Sequence, residues 1–196
     1  MQNKLLIISG YMASGKDSVL NELVKNKGFN KLISHTTRPM RPKETNGVEY
    51  FFIDKDKFFE MDEKGEFVET REYFTFIEKE GKKLRDIWYY SLSKKGVNNR
   101  EKPTVVILDK QGGEDVIEYV GHENCVWIYL ECDESVLRNR LNGRGDLEEE
   151  VNRRLRDDKR AFKGIENCVH SVINTEMELE KVVESVVDTY NYWNGL

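Results

Sequence analysis

A loop of small residues near the start of the chain, set between an apolar run and a helical pattern, constrains the fold most. Residues 4–9 are mostly leucine and isoleucine, and residues 10–17 (GYMASGKD) fit the spacing G-x-x-x-x-G-K. Apolar residues within 17–25 then lie at the spacing of one helix face. A buried strand, this loop and a helix N-terminus, in that order, can surround a polyphosphate with backbone N–H groups. We therefore expect a nucleotide phosphate site here, with the ammonium group of Lys16 on the β- and γ-phosphates.

The alternation of strand and helix returns in the second half of the chain. Residues 104–109 and 126–131 are short, largely apolar runs, and helical patterns follow them near Gly113 and at Asp133. Apolar strands of this kind are typical of a parallel sheet that is covered on both faces. Apolar residues between 179 and 190 repeat at helical spacing and predict a helix that covers the sheet. The predicted fold class is therefore α/β.

The middle of the chain differs from both ends. Residues 47–53 predict a strand, and aromatic residues cluster between 73 and 90, so we expect a β-rich lobe inserted into the α/β core. Seven of the twelve arginines fall between residues 138 and 160, a stretch that is also rich in acids and contains Gly143 and Gly145. Such a segment is typical of a mobile lid with glycine hinges.

Composition excludes several classes of protein. With 196 residues, of which 38% are hydrophobic, the chain can form one core with excursions rather than two large domains. The 31 basic and 36 acidic residues nearly cancel, so no overall positive field attracts nucleic acid. The apolar runs are far shorter than the ~20 residues of a membrane-spanning helix, and residues 1–9 lack the order of a signal peptide. We expect a cytoplasmic protein whose cysteines, Cys125, Cys132 and Cys168, are reduced and structural.

Arg38 and Arg41 form a second cluster with evident chemistry. They lie three residues apart on a turn stiffened by Pro39 and Pro42, with hydroxyl groups nearby in residues 34–37. Two guanidinium groups held in this way suit a second anion, such as a monophosphate. The alternative is a solvated basic turn without a ligand.

Taken in order, these motifs resemble those of the guanylate kinases, the P-loop enzymes that move the γ-phosphate of ATP onto GMP. The matching segments follow the family's order over nearly the whole chain: 10–17, 34–52, 65–69, 108–112, 138–145 and 172–174. The resemblance implies a P-loop NTPase-type core, with a five-stranded parallel sheet flanked by helices, formed by residues 1–34 and 101–196. It also implies a lobe at 35–100 that binds a nucleoside monophosphate (NMP), a helical lid at about 138–160, and Mg²⁺ bound with ATP.

The resemblance assigns residues to the ATP side of the reaction. Carried over onto this sequence, the ATP-binding positions are Gly10, Ala13, Ser14, Gly15, Lys16, Asp17, Ser18 and Asn174. The positions around the transferring phosphoryl group are Lys16, Arg140, Arg144 and Arg154. Charge spreads over the equatorial oxygens in the transition state, so positioned arginines and Mg²⁺ supply most of the catalysis. For Arg153 and Arg154 the alternative is surface ion pairing with Glu149 and Glu150, four residues earlier.

The resemblance also assigns the acceptor side. The residues that it places on the NMP phosphate are Arg38, Arg41, Tyr50 and Tyr90. Those that it places on guanine are Ser34, Glu69 and Asp109. Guanine carries adjacent N1–H and N2–H donors, and an ionised carboxylate such as that of Glu69 accepts from both, whereas adenine offers no such pair. The alternative for Glu69 is an exposed acid on a strand.

Two positions and one segment depart from the family pattern. Asp17 stands where a phosphate-binding loop normally has Ser or Thr, and we expect its carboxylate to be an Mg²⁺ ligand. Leu92 stands where the family has a hydroxyl residue that contacts guanine O6, so either Ser91 or Ser93 replaces it or base selectivity is relaxed. Residues 79–86 are an extra charged run, which predicts a loop.

Three functions are compatible with these features. The favoured one is phosphorylation of GMP or dGMP by ATP to the diphosphate. The second is a related kinase that acts on another (deoxy)nucleotide or on a phosphorylated sugar. The third is a non-catalytic, guanylate-kinase-like interaction module, and the retained Gly10, Gly15 and Lys16 argue against it, as do the lid arginines.

Overall fold

The computed structural model describes residues 3–79, 82–143, 145 and 147–195, with residues 76–79 and 82–83 described by their backbone alone. The chain forms two compact units. Unit 1 comprises residues 1–31 and 101–196, and unit 2 comprises residues 32–100. None of the helices in the described ranges is long and apolar enough to cross a membrane.

Strands and helices alternate along unit 1, whereas unit 2 consists mostly of strands. The strands are β1 Leu5–Gly10, β2 Asn30–Lys31, β3 His35–Thr36, β4 Phe51–Phe52, β5 Phe67–Lys79, β6 Lys82–Ser93, β7 Thr104–Ile107, β8 Cys125–Glu131 and β9 Ser171–Asn174. The helices are α1 Lys16–Asn26, α2 Lys55–Glu63, α3 Lys94–Asn98, α4 Lys110–Val120, α5 Glu134–Asn142, α6 Glu148–Ala161 and α7 Leu179–Asn194.

A five-stranded parallel sheet forms the centre of unit 1. Its strand order is β2-β7-β1-β8-β9, and every pairing between neighbours is parallel. All six residues of β1 are buried, as expected of a central strand that is covered on both faces. The α/β fold class predicted from the sequence is therefore confirmed.

Helices α1 and α7 cover one face of this sheet. Leu20 and Leu23 of α1 pack into the same apolar cluster as Val186 and Tyr190 of α7 and Ile8 of β1. The phenol of Tyr190 also donates a hydrogen bond to the carbonyl of Lys4 (2.9 Å). The covering helix predicted from the apolar spacing between 179 and 190 is thus present.

Helix α4 lies very close to strand β8. A Cβ atom on Gly113 would lie 2.4 Å from the ring of Trp127, a distance that real side chains do not reach. Trp127 is fully buried, and its indole N–H donates to the hydroxyl of Ser9 (2.8 Å). Glycine is therefore required at 113, inside a helix that the sequence correctly places after the Thr104 strand but that begins earlier, at Lys110.

Unit 2 contains a four-stranded sheet in the order β4-β3-β6-β5. Helix α2 packs against it through Phe58, whose ring lies 4.9 Å from that of Phe67 and 5.2 Å from that of Tyr89. The sheet is antiparallel except for the pair β3 and β4. The inserted segment is thus rich in β structure, as its aromatic residues predict.

The strand predicted over 47–53 is wrong in extent, because only Phe51–Phe52 forms a strand. Gly47 has a φ of 82°, a conformation that favours glycine, and its N–H donates to the carbonyl of Tyr50 (2.8 Å). This local turn uses the backbone groups that a strand would need.

The loop predicted over 79–86 is also wrong. Lys79 is the last residue of β5, and Lys82 to Asp86 belong to β6, while residues 80 and 81 lie outside the described ranges. The two strands pair residue by residue, for example Thr75 with Asp86. A two-stranded ribbon meets water on both faces, so charged residues suit it as well as they suit a loop.

The predicted lid segment contains two helices. Helix α5 ends at Asn142, with Gly143 as its C-cap, and α6 begins at Glu148, with Gly145 between them at a φ of 82°. Residues 144 and 146 lie outside the described ranges, so the expectation for Arg144 stays a prediction. The expected motion of the lid also stays a prediction.

Candidate active site

The phosphate-binding loop follows β1 and ends where α1 begins. Ala13 and Gly15 take positive φ angles, 62° and 98°. A Cβ on Gly10 would lie 2.6 Å from the carbonyl oxygen of Leu130 and from Oγ of Ser14, so the loop needs glycine there. Positive φ angles of this kind let the N–H groups of a loop turn toward a bound anion, as in an anion nest.

Two polar side chains mark the inside of this loop. The ammonium group of Lys16 donates to the carbonyl of Tyr11 (2.7 Å). The hydroxyl of Ser14 is buried and has no hydrogen-bond partner among the residues that the structure describes. A buried hydroxyl without a partner is costly, so a loop that keeps one here is suited to a polar ligand.

Helix α6 supports the loop through Asp158. Its carboxylate accepts a hydrogen bond from the backbone N–H of Met12 (2.6 Å). Burial raises the pKa of Asp158, while the Met12 N–H and the charge of Lys16 act in the opposite direction. The sequence patterns did not single out Asp158, although its position four residues after Arg154 places both on one face of α6.

The lid helices bring two of the predicted arginines to the loop. Arg140 on α5 donates to the carbonyls of Ala13 and Thr175, both at 3.0 Å. Arg154 on α6 lies 3.1 Å from the sulfur of Met12 and pairs with Glu150 (2.6 Å). Both guanidinium groups therefore contact residues of the loop, and their expected role at the transferring phosphoryl group stays a prediction.

Arg153 forms ion pairs on the surface of α6, which was the alternative given for it from the sequence, but its partners differ. It pairs with Glu150 (2.7 Å) and Asp157 (2.7 Å). Among the described residues, Arg153 thus pairs with Glu150 and Asp157 instead of the expected Glu149. The expected pair of Arg154 with Glu150 is present. The pair of Arg153 with Asp157 is exposed, whereas that of Arg154 with Glu150 is half-buried.

A pocket of unit 1 lies beside the loop. Its lining comes from the loop, α1, α5, the segment between β9 and α7, and the start of α7. It consists of Ala13, Ser14, Gly15, Ser18, Val19, Arg140, Thr175, Met177, Leu179 and Val182. Asn174 precedes this lining at the end of β9, and its side-chain oxygen accepts from the N–H of Glu176 (2.7 Å). The pocket is part polar and part apolar, which suits a nucleoside attached to the phosphates.

In unit 2, the turn after β3 holds Arg38 and Arg41. Arg38 is only 5% exposed, and its guanidinium group binds the carboxylate of Glu44 at two points (2.7 and 2.9 Å). The N–H of Arg41 donates to the same carboxylate (2.8 Å). The bond from Arg38 holds the pKa of Glu44 below its usual value. Glu44, which the sequence patterns did not single out, therefore fixes the turn.

Tyrosines predicted at the NMP phosphate surround Arg38. Its guanidinium carbon lies 5.4 Å from the centre of the Tyr50 ring, a cation–π distance. The rings of Tyr50 and Tyr90 lie 5.6 Å apart. The structure thus brings together three of the four residues assigned to the NMP phosphate, and Arg41 follows on the same turn.

Glu69, assigned to the base, is buried and ion-paired. Its side chain is fully buried, and one carboxylate oxygen lies 2.7 Å from Nε of Arg71. Ser34 is also buried. The exposed acid offered as the alternative for Glu69 is therefore wrong. The sequence analysis did not identify Arg71, although its position two residues after Glu69 places both on one face of a strand.

Asp109 belongs to unit 1, where it begins helix α4. Its carboxylate accepts from the N–H of Gly112 (2.9 Å), which is an N-cap. Its expected contact with guanine stays a prediction.

Unit 1 has the parallel sheet, loop and helix of a P-loop NTPase-type protein, and unit 2 adds a buried basic cluster. A family model described as guanylate kinase matches residues 2–191. The chain belongs to the guanylate kinase family.

Individual relatives agree with this assignment. The chain is 31% identical over 189 residues to the guanylate kinase of Clostridioides difficile (strain 630), which covers 94% of this chain and 87% of the relative. It is 35% identical over 159 residues to that of Desulfotalea psychrophila (strain LSv54 / DSM 12343), covering 79% and 72%. The crystal structure of guanylate kinase from Anaplasma phagocytophilum has the same fold, with a TM-score of 0.71, 24% identity, and coverage of 98% of this chain and 87% of that chain.

Proposed function

We propose that this protein transfers the γ-phosphoryl group of ATP to GMP and releases ADP and GDP. The observation that carries the proposal is the family match over residues 2–191. A P-loop with its lysine and a pocket beside it in unit 1 support the donor side. The site also favours an enzyme over a non-catalytic module, since Lys16, Arg140 and Arg154 all lie at the loop.

The donor site is assigned to the loop and the lid helices. The loop and helix start from Gly10 to Ser18 bind the ATP phosphates, and the pocket next to Asn174 takes the nucleoside. Lys16, Arg140 and Arg154, together with Arg144 outside the described ranges, neutralise charge on the transferring phosphoryl group. That charge lies mostly on the equatorial oxygens, so several cations are needed around the group.

The acceptor site is assigned to the lobe at 35–100 and to residues that flank it. Arg38, Arg41, Tyr50 and Tyr90 hold the phosphate of GMP, and Ser34, Glu69 and Asp109 hold guanine. A phosphate oxygen of GMP attacks the γ-phosphorus as the bond to the β–γ bridging oxygen breaks. The second pKa of a phosphomonoester is ~6, so the attacking group is already largely a dianion and needs no protein base.

Asp17 is the residue that would hold Mg²⁺. Its carboxylate is exposed in the first turn of α1, directly after Lys16. Over the described ranges, no group of three or more His, Cys, Asp or Glu residues could hold a metal ion. One carboxylate plus substrate phosphates is the usual protein site for Mg²⁺, so the residues present fit the ion. When bound, Mg²⁺ supplies charge neutralisation for the triphosphate.

Substitution of Asp17 tests this assignment. We expect Asp17→Asn to raise the Mg²⁺ concentration needed for half-maximal activity about tenfold, and to weaken Mn²⁺ binding to the ATP complex, measured by electron paramagnetic resonance. Glu22→Gln, on the same helix, is the control. Equal Mn²⁺ affinities for the wild-type protein and Asp17→Asn would overturn the assignment.

The proposed reaction is tested by coupled ADP release across the common ribo- and deoxynucleoside monophosphates. We expect GMP and dGMP to be the best acceptors, and AMP to be poorer by at least ~100-fold in kcat/KM. Lys16→Met is expected to reduce turnover at least ~100-fold with its circular dichroism unchanged, whereas Lys25→Met on the same helix retains activity. A different preferred acceptor, or no ADP release with any acceptor, would overturn the proposal.

We also propose that the protein works in the cytoplasm, where both substrates are available.

A further inference from the structure

Glu69, Arg71 and Leu92 lie on one face of the sheet in unit 2. In the antiparallel pairing of β5 and β6, Glu69 lies opposite Leu92 and Arg71 lies opposite Tyr90. Residues directly opposite each other point to the same face, and so do residues two apart on one strand. The rings of Tyr73 and Tyr90, which lie 5.2 Å apart, confirm this arrangement. The face that carries the base-binding carboxylate therefore also carries a guanidinium group.

The two serines that could replace the hydroxyl missing at position 92 are used elsewhere. Ser91 lies opposite Thr70 on the other face of the sheet, and their hydroxyl oxygens are 2.8 Å apart. Ser93 accepts a hydrogen bond from the N–H of Gly96 as the N-cap of α3. Leu92 itself is fully buried. Neither serine therefore supplies a donor on the face of Glu69.

Arg71 is the donor on this face that lies directly beside Glu69. Its Nε lies 2.7 Å from one oxygen of Glu69, and its Nη2 lies 3.4 Å from the other, so the guanidinium group approaches side-on. The side chain of Arg71 is 13% exposed and that of Glu69 is fully buried. A buried carboxylate needs a cationic partner to stay ionised, and a guanidinium group has five N–H donors with which to bind more than one acceptor.

We propose that Arg71 is a specificity-determining residue of the GMP site, where it donates a hydrogen bond to guanine O6 and holds Glu69 for N1–H and N2–H. This inference rests on the proposed function. Arginine is the side chain that most often binds guanine at O6 in other complexes.

The same arrangement acts against adenine. Adenine has an amino group at position 6, so its N–H donors would meet the donors of Arg71, and its N1 acceptor would meet the carboxylate of Glu69. Buried groups left without partners cost more than the bonds gain, so both mismatches lower affinity. Arg71 thus keeps guanine selectivity where the family pattern uses a hydroxyl, and the relaxed selectivity considered from the sequence is not expected.

The test compares GMP with 6-thio-GMP, which keeps N1–H and N2–H but has sulfur, a weak acceptor, in place of O6. Binding is measured by calorimetry without ATP, for the wild-type protein and for Arg71→Met. We expect the Kd for GMP to rise ~10-fold more than the Kd for 6-thio-GMP, because the bond to O6 is lost from GMP alone, whereas the lost support of Glu69 weakens both nucleotides. Arg85→Met, an exposed arginine on the neighbouring strand, is the matched control and is expected to change neither.

A second variant separates contact with the base from support of Glu69. Arg71→Gln keeps an N–H donor for Glu69 but is too short to reach the base, so we expect it to show the same loss specific to GMP. Equal losses with both nucleotides in both variants would mean that Arg71 only positions Glu69, and would overturn the inference. Unchanged GMP affinity would also overturn it.

The outcome is distinguishable from failure of the proposed function. If the wild-type protein phosphorylates GMP while Arg71→Met binds GMP normally, only the inference falls. If the wild-type protein neither binds nor phosphorylates GMP, both fall.

Discussion

Arg38 and Glu69 show how single charges are held inside unit 2. Each side chain is at most 5% exposed, and each has an opposite charge within 2.7 Å, Glu44 for Arg38 and Arg71 for Glu69. A buried ion pair adds little net stability, but removing one member leaves an uncompensated charge that costs ~3–5 kcal/mol. Glu44 and Arg71 are therefore expected to matter for the site even where they touch no substrate.

His170 in unit 1 gives a prediction for stability against pH. Its Nδ1 accepts the N–H of Trp127 (3.1 Å), its ring stacks on that of His122 at 4.4 Å, and burial lowers its pKa to about 4. Above pH ~6.5 the imidazole is neutral in both states, and its contribution to stability is complete. Between pH ~6.5 and about 4 the unfolded state binds more protons, so the free energy of unfolding falls as the pH falls.

We expect this one residue to account for a loss on the order of 2 kcal/mol between pH 7 and pH 4.5. His170→Asn keeps an acceptor for the N–H of Trp127 but does not titrate, so its stability curve is flatter by that amount. Urea denaturation at several pH values measures both curves. Parallel curves for the two proteins would contradict the prediction.

The residues of the phosphate-binding loop could be predicted from the sequence because their chemistry depends on local spacing. Lys16 and Gly10 lie within one loop, and the strand and helix that flank it have clear patterns. Asp158 and Arg71 could not be predicted from the sequence. The role of Asp158 depends on which helix packs on the loop, and that of Arg71 depends on strand register. Register in turn depends on pairing across a hairpin, which no local pattern fixes.

At the scale of secondary structure elements, the contact between α4 and β8 gives a prediction. Alanine is normally better than glycine inside a helix by ~1 kcal/mol. At position 113 the added Cβ would lie 2.4 Å from the ring of Trp127, and overpacking of this kind costs ~1–3 kcal/mol. We therefore expect Gly113→Ala to lower the free energy of unfolding, measured by urea denaturation.

Trp127→Phe provides the control, because phenylalanine lacks the ring atoms that Gly113→Ala would meet. The double variant should lose less stability than the sum of the two single variants. If Gly113→Ala were as stable as the wild-type protein, α4 would have to be free to move away from β8.

The strands β5 and β6 show where element prediction failed. In their outer half Phe74 is 71% exposed, and residues 78–86 are mostly charged, so the sequence shows no clear alternation of apolar and polar residues there. The central strands β1 and β8 were found because their burial is nearly complete. Prediction from the sequence therefore succeeded for elements that are buried and failed for a ribbon stabilised by its own pairing.

For the whole molecule, ligand binding should divide along the two units. We expect GMP to slow amide hydrogen exchange mainly within residues 32–100, and a non-hydrolysable ATP analogue to slow it mainly at the phosphate-binding loop and around Arg140. Each ligand at 100 times its Kd should also stabilise the protein by ~2.7 kcal/mol. Hydrogen exchange with mass spectrometry resolves the two responses.

Lys16→Met serves as the control for this division. It should abolish the response to the ATP analogue and keep the response to GMP. If both ligands protected the same segments in the wild-type protein, the assignment of donor and acceptor residues would be wrong.

For the whole chain, the fold class could be predicted from the sequence, but the strand order of the second sheet could not. Alternating apolar strands and helices lead to a parallel sheet, and the different composition of residues 35–100 led us to expect an inserted lobe. The structure has a compact unit at residues 32–100. Strand order in the second sheet depends on pairings between short strands such as β3 and β4, which carry two residues each. A segment of two residues is too short to show the alternation of apolar and polar residues by which a strand is predicted.

Strand β5 is an edge strand, and its 13 residues leave one long row of backbone groups without a neighbour in the described sheet. Such a row invites strand addition by another molecule and, at high concentration, aggregation. Glutamate, lysine and arginine recur along β5 and along the extra charged run. The charged residues that led us to predict a loop here are thus the ones expected to prevent self-association of the protein.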